Sequence, residues 1–90
     1  MPYTVRMSNR AAREFRKMDR RDQVRIAARI DQLAKRPRPD DVTKLAGVED
    51  VYRIRSGDYR ILYQIRDEEM LVIVARIAPR GQAYRRLKDL

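Results

Sequence analysis

Three arginines within Val51 to Arg66, VYRIRSGDYRILYQIR, are the residues of this sequence best suited to chemistry. Cations alternate with hydrophobic residues on both sides of Ser56-Gly57-Asp58, the pattern of a β-hairpin. With an even-length loop, Arg53, Arg55 and Arg60 fall on one face, and Tyr52, Ile54, Ile61 and Tyr63 on the other. Like charges gathered across a strand pair destabilise it, so a face that keeps three of them has an anion to receive. The guanidinium group is a planar fork of donors that matches phosphate bidentately and stays charged at physiological pH. A transition state at phosphorus gathers further negative charge, so the same cluster can catalyse as well as bind. The competing reading is a water-exposed sheet face whose arginines serve solubility.

The remaining composition narrows the chemistry. The 90 residues contain neither cysteine nor histidine, which excludes disulfides, thiolate ligands and the Ser-His or Cys-His nucleophile pairs. The acidic groups Asp40-Asp41, Glu49-Asp50 and Asp67-Glu68-Glu69 are adjacent in sequence, as in solvated turns, and form no pattern of metal ligands. The three glycines stand apart, so there is no phosphate-cradling loop. Neither a metal nor a cofactor is expected. Twenty-two basic against 13 acidic side chains give a net charge of +9, which favours a polyanionic partner such as nucleic acid or the ribosome. With no long apolar run and no signal-peptide pattern at the N-terminus, the cytoplasm is the expected compartment and no membrane is involved.

The elements that would position the arginines can be read in order. Pro2 to Met7 is a short strand. Ser8 is placed to cap a helix over Asn9 to Met18, with Ala11, Phe15 and Met18 on its apolar stripe. Asp19 caps a second helix running to about Lys35, with Ile26, Ile30 and Leu33 inward; Pro37 and Pro39 end it. The two form a helical hairpin. Between Arg10 and Arg36 it carries ten cations, which suit either a solvated face or phosphate contact. Arg38 to Asp50 reads as a loop and Val51 to Arg66 as the β-hairpin. Met70 to Ala78 is a nearly unbroken apolar run expected as a central strand, with Arg76 at or past its end. Gln82 to Leu90 is a candidate short terminal helix. The expected fold is α+β in the order β-α-α-β-β-β, with the helical hairpin on one face of a small, mainly antiparallel sheet, all within one domain over residues 1–90.

The run from Lys44 to Arg86, KLAGVEDVYRIRSGDYRILYQIRDEEMLVIVARIAPRGQAYRR, resembles the second half of RelE-family toxins of type II toxin–antitoxin operons. The shared features are the Leu45-Ala46-Gly47 loop, Tyr52-Arg53-Ile54-Arg55, a glycine turn, Tyr59-Arg60-Ile61-Leu62-Tyr63, an apolar strand and a closing Arg80…Tyr84 element. The first half, a strand and a basic helical hairpin, also fits. The resemblance implies a RelE-like fold and a metal-free endonuclease that cuts mRNA in the ribosomal A site, using the RNA 2′-hydroxyl as nucleophile. It also implies contact with ribosomal RNA and a cognate antitoxin that holds the toxin inactive in a hetero-oligomer. By matched position, Arg53 and Arg55 are the two basic residues of the first hairpin strand, and Arg60 is the transition-state clamp. Arg80 is the donor to the leaving oxygen, and Tyr84 is the residue that stacks on or orients a base.

Where relatives often carry lysine, this chain has Arg53 and Arg55, which are too weakly acidic to serve as a general base. Tyr84, Lys44, Glu49 and ribosomal groups are the alternatives. Pro79 stands where relatives often have a polar residue. Two rival functions remain. One is ParE-like inhibition of DNA gyrase by protein contact without RNA cleavage. The other is a non-catalytic RNA- or ribosome-binding module.

Overall fold

The structure, a computed structural model, describes residues 2–79. Strand β1 (Thr4–Met7) leads into helix α1 (Asn9–Arg16) and helix α2 (Arg20–Gln32). The short strand β2 (Thr43–Lys44) precedes β3 (Val51–Ser56) and β4 (Tyr59–Arg66), and a 3-10 turn at Asp67–Glu69 leads to β5 (Leu71–Pro79). The strands form one sheet in the order β1-β5-β4-β3-β2. All neighbours are antiparallel except β1, which runs parallel to β5. The α+β class and the helical hairpin are as expected from the sequence. The two-residue strand β2 was not expected; it is too short to show a period-2 pattern. The expected terminal helix over Gln82 to Leu90 lies outside the described residues.

Both helices begin where capping chemistry placed them. The Ser8 Oγ accepts from the Ala11 N–H at 3.0 Å, and the Asp19 Oδ1 accepts from the Asp22 N–H at 2.9 Å. Each cap satisfies a backbone donor that the first turn leaves without a partner. The helices end slightly earlier than their apolar patterns, because the Lys17 and Leu33 N–H groups donate to the Glu14 and Ile30 carbonyls three residues earlier, in a tightened last turn. Ala11, Ile26, Ile30 and Leu33 are buried against Ile54, Ile61, Tyr63, Ile65, Val72, Val74 and Ile77 of the sheet. The opposite sheet face carries a much smaller cluster, in which Leu45 packs on Leu62 and Ala78.

One irregularity sets which residues of β5 face the helices. The β4–β5 register passes from Tyr63↔Val74 to Leu62↔Arg76, leaving Ala75 as an extra residue. Such a bulge shifts the alternation of side chains by one. Val72 and Val74 before it and Ile77 after it can therefore all join the helix-side core, while Arg76 and Ala78 pair across from Leu62 and Arg60. Arg76 thus lies within β5 and is only 5% exposed, not at or beyond the strand end. Met70, expected as the first strand residue, instead adopts φ 49° and closes the turn, so the strand begins at Leu71.

The far end of the sheet is tied down by polar contacts. The Tyr63 hydroxyl, whose ring is fully buried, donates to the Pro37 carbonyl at 2.6 Å, and burial pushes its phenol pKa up. Arg38 lies 5.2 Å from the Tyr52 ring centroid and donates to both Asp67 oxygens at 3.2 and 2.9 Å. The Tyr3 hydroxyl donates to the same carboxylate at 2.7 Å. Hydrogen bonds from Arg38 and then Tyr3 hold the Asp67 carboxyl below its ordinary pKa.

Two outcomes follow from these contacts. Ser8 also donates to the Ala75 carbonyl, so Ser8→Ala should lower unfolding stability by about 1–2 kcal/mol in urea titrations, the upper part of the range for a lost N-cap. Because the folded pKa of Asp67 is depressed, its contribution is present above the ordinary carboxylate value of about 3.9 and is lost as pH falls through the folded value. Urea midpoints measured from pH 7 down to pH 2 should fall less steeply for Asp67→Asn than for the unaltered chain; parallel curves would remove Asp67 from the linkage.

Candidate phosphate-binding site

The hairpin turn fixes the site. Gly57 has φ 59° and Asp58 is not among the residues with positive φ, as in a type II′ turn, which places glycine first. The positive φ calls for glycine at Gly57, while the Arg25 guanidinium of α2, at the end of a flexible side chain, lies close above it. The two-residue loop puts Ser56 opposite Tyr59, Arg55 opposite Arg60, and Arg53 opposite Leu62. The predicted sharing of one face by Arg53, Arg55 and Arg60 therefore follows from the observed register.

The three arginines differ in environment. Arg55 is exposed, Arg53 is half-buried and donates to the Thr43 hydroxyl at 3.3 Å, and Arg60 is only 9% exposed. The ion pairs among the described residues are Arg29–Asp41, Arg36–Asp40, Arg38–Asp67, Arg66–Glu69 and Arg76–Glu14. Arg55 and Arg60 take part in none of them. An arginine largely buried beside a second cation, with no described carboxylate against it, is placed to receive an anion. An incoming phosphate could bind it through charge-assisted bonds to several donors.

Other sequence candidates are placed less directly. Lys44 pairs with Tyr52 in the β2–β3 register, and its ammonium lies 6.0 Å from the Tyr52 ring centroid; it belongs to the face opposite the arginines. Glu49 is exposed in the loop that follows β2. Arg80 and Tyr84 lie outside the described residues. The loop carboxylates Asp40, Asp41 and Asp67, read from sequence as solvated turn residues, are ion-paired to arginines elsewhere on the molecule.

Sequence reasoning missed several residues that hold the site. Thr43 meets Arg53 only because β2 pairs with β3. Arg29 of α2 donates from Nε to the Arg55 carbonyl at 3.2 Å and pairs with Asp41. Glu14 of α1 accepts from the Ile77 N–H at 2.8 Å and from Arg76 at 2.7 Å. The half-buried placement of Arg29 and Glu14 on inward-facing helix turns was the available signal; their partners lie 26 and more than 60 residues away in sequence. Of the ten cations between Arg10 and Arg36, only Arg29 and Arg36 form ion pairs among the described residues, which leaves the outer helical surface strongly basic.

Comparison with known proteins agrees with this architecture. The family model described as the ParE toxin of type II toxin-antitoxin system, parDE, matches residues 5–84. The mRNA interferase toxin RelE of Escherichia coli strain K12 is 32% identical over 85 residues, covering 92% of this chain and 88% of that protein. Toxin RelG of Mycobacterium tuberculosis is 32% identical over 90 residues, covering 96% of this chain and 100% of that protein. The archaeal RelE-RelB complex from Pyrococcus horikoshii OT3 contains a chain that superposes with a TM-score of 0.80 at 30% identity, covering 92% of this chain and 100% of that one. With that coverage and the matching sheet and helical hairpin, the chain belongs to the ParE toxin family of type II toxin–antitoxin systems and is, within it, a RelE-like toxin.

Proposed function

We propose that this toxin is a metal-independent endoribonuclease that cuts mRNA in the ribosomal A site and so arrests translation. The observation that carries this reading is the cation cluster: Arg60, nine-tenths buried, faces Arg55 directly across the hairpin and has no described anionic partner. A phosphodiester in the splayed A-site message would supply that anion. The relative named an mRNA interferase at 32% identity supports RNA as the substrate.

In this reading the RNA 2′-oxygen forms a bond to the adjacent phosphorus while the bond from phosphorus to the 5′-oxygen breaks. The products are a 2′,3′-cyclic phosphate and a 5′-hydroxyl. The 2′-hydroxyl proton passes to a base, and a proton supplied from the Arg80 side reaches the departing 5′-oxygen. Arg53, Arg55 and Arg60 bind the phosphate and stabilise the charge that grows on its oxygens, which is electrostatic preorganisation. Arginine is too weak an acid to be the proton acceptor. Tyr84, Glu49 or a ribosomal group is left for that role, since Lys44 is in register with the opposite face. Tyr84 also stacks on or orients a base. The basic helical surface contacts ribosomal RNA, where each neutralised phosphate adds salt-dependent affinity. A cognate antitoxin binds the basic surface and keeps the toxin inactive in a cytoplasmic complex; the Pyrococcus relative is itself seen with RelB.

The family description also names the ParE toxins, so gyrase inhibition by protein contact is the alternative. Primer extension on a translated message should show cleavage only when ribosomes are present; intact message with accumulation of relaxed DNA would favour the gyrase reading. Arg60→Ala should lower single-turnover cleavage about 10²–10³-fold, the loss typical of one transition-state donor. Its melting temperature should be maintained, because no described ion pair is broken. Full cleavage by this variant would place the reaction elsewhere.

A further inference from the structure

Both outer edges of the sheet lose their edge strand before the end at which the arginines lie. On one side, β2 spans only Thr43–Lys44 and pairs with Arg53 and Tyr52. The Leu45 N–H donates to the Val51 carbonyl, so the odd-numbered residues of β3 turn their backbone groups outward. The alternation of an antiparallel ladder then requires Arg55 to face outward too, beyond the reach of β2. On the other side, β1 ends at Met7, its ladder with β5 closing with the Ser8 N–H on the Val74 carbonyl. Ile77, three residues further along β5, points its N–H to the same open edge.

A helix side chain takes the missing strand's place at each edge. Arg29 Nε donates to the Arg55 carbonyl, while its Nη2 pairs with Asp41. Glu14 Oε1 accepts from the Ile77 N–H, while its Oε2 pairs with the buried Arg76 guanidinium. The two cases are chemically complementary: a donor group meets an exposed carbonyl, and an acceptor group meets an exposed N–H. In both, the charge is held by a second ion partner, so the side chain has little freedom to swing away. Unsatisfied strand groups at these two places would fray, since backbone groups without partners are costly when removed from water.

We infer that Arg29 and Glu14 are positioning residues for the phosphate site: they substitute for strands and hold the ends of β3 and β5 that carry Arg55 and lead into Arg80. This rests on the endoribonuclease reading above for its catalytic consequence, and on the hydrogen bonds alone for its structural one. Neither residue lies on the arginine face. Their effect is transmitted through the backbone, by fixing where the Arg55 side chain stands relative to Arg60.

The test uses the full chain with Arg29→Lys, which keeps a cation for Asp41 but removes the planar fork, and Glu14→Gln, whose amide oxygen is no longer anchored to Ile77 by an ion pair with Arg76 and is free to swing away. Single-turnover cleavage is measured against ribosome concentration, with hydrogen exchange of the free toxin in parallel. Small displacements of reacting groups cost on the order of 10²-fold, so the saturating rate should fall about 10–100-fold in each variant. The half-saturating ribosome concentration should stay within about twofold. Exchange should quicken at the ends of β3 and β5 while the α2 and central β4 amides keep their protection. A saturating rate equal to that of the unaltered toxin would overturn the inference, as would a raised half-saturating concentration with an unchanged rate, which would make these residues ribosome contacts. If the unaltered toxin cleaves nothing, the endoribonuclease reading fails; unchanged exchange at the strand ends would then overturn the positioning role as well, and quickened exchange would uphold it without the reaction.

Discussion

A largely buried arginine held directly across a ladder from another arginine is the constraint on which the rest of this structure depends. Arg60 and Arg55 face one another because Gly57 and Asp58 close the hairpin in two residues. Any odd change in loop length would reverse one strand's faces, burying Arg60 among the helix-side hydrophobic residues or exposing Ile61. The repulsion between the two cations is a standing cost of this register. It is tolerated because the same register places Tyr52, Ile54, Ile61 and Tyr63 in the helix-side core.

The distribution of carboxylates reinforces this arrangement. Five acidic side chains near the ends of the helices and strands are engaged by Arg29, Arg36, Arg38, Arg66 and Arg76. These exposed or half-exposed pairs contribute little stability individually. Their larger consequence is that these five acids are committed to arginines other than Arg55 and Arg60. Among the described residues, cations that brace the fold are thus distinct from Arg55 and Arg60, which are placed to meet an external anion. The exception in environment is Arg76, nearly buried yet matched by Glu14, where loss of either partner would strand a charge.

The helices serve the site at two levels. Their apolar stripes cover one sheet face and make the hairpin rigid, and their polar residues Glu14 and Arg29 finish the sheet edges that short strands leave open. Short edge strands also limit pairing with other chains. Closing the remainder with charged side chains keeps the strand ends fixed without adding a strand over the arginine face. The Ala75 bulge completes the arrangement by letting one strand supply Val74 and Ile77 to the core and still set Arg76 beside Glu14.

The sequence by itself determined the local and periodic features. Ser8 and Asp19 announced the helix starts, the period-2 alternation from Val51 to Arg66 announced the hairpin, and parity put Arg53, Arg55 and Arg60 on one face. Each depends on neighbours within a few residues, where chain geometry leaves few choices. Tertiary structure alone decided that β1 joins β5 in parallel, that Arg60 is buried while Arg55 is exposed, that Arg76 lies inside a bulged strand, and that Glu14 and Arg29 cap the sheet edges. These contacts join residues up to 67 positions apart. An acid or arginine on a half-buried helix turn has many possible partners in sequence, and only the packing of the helices on the sheet selects one.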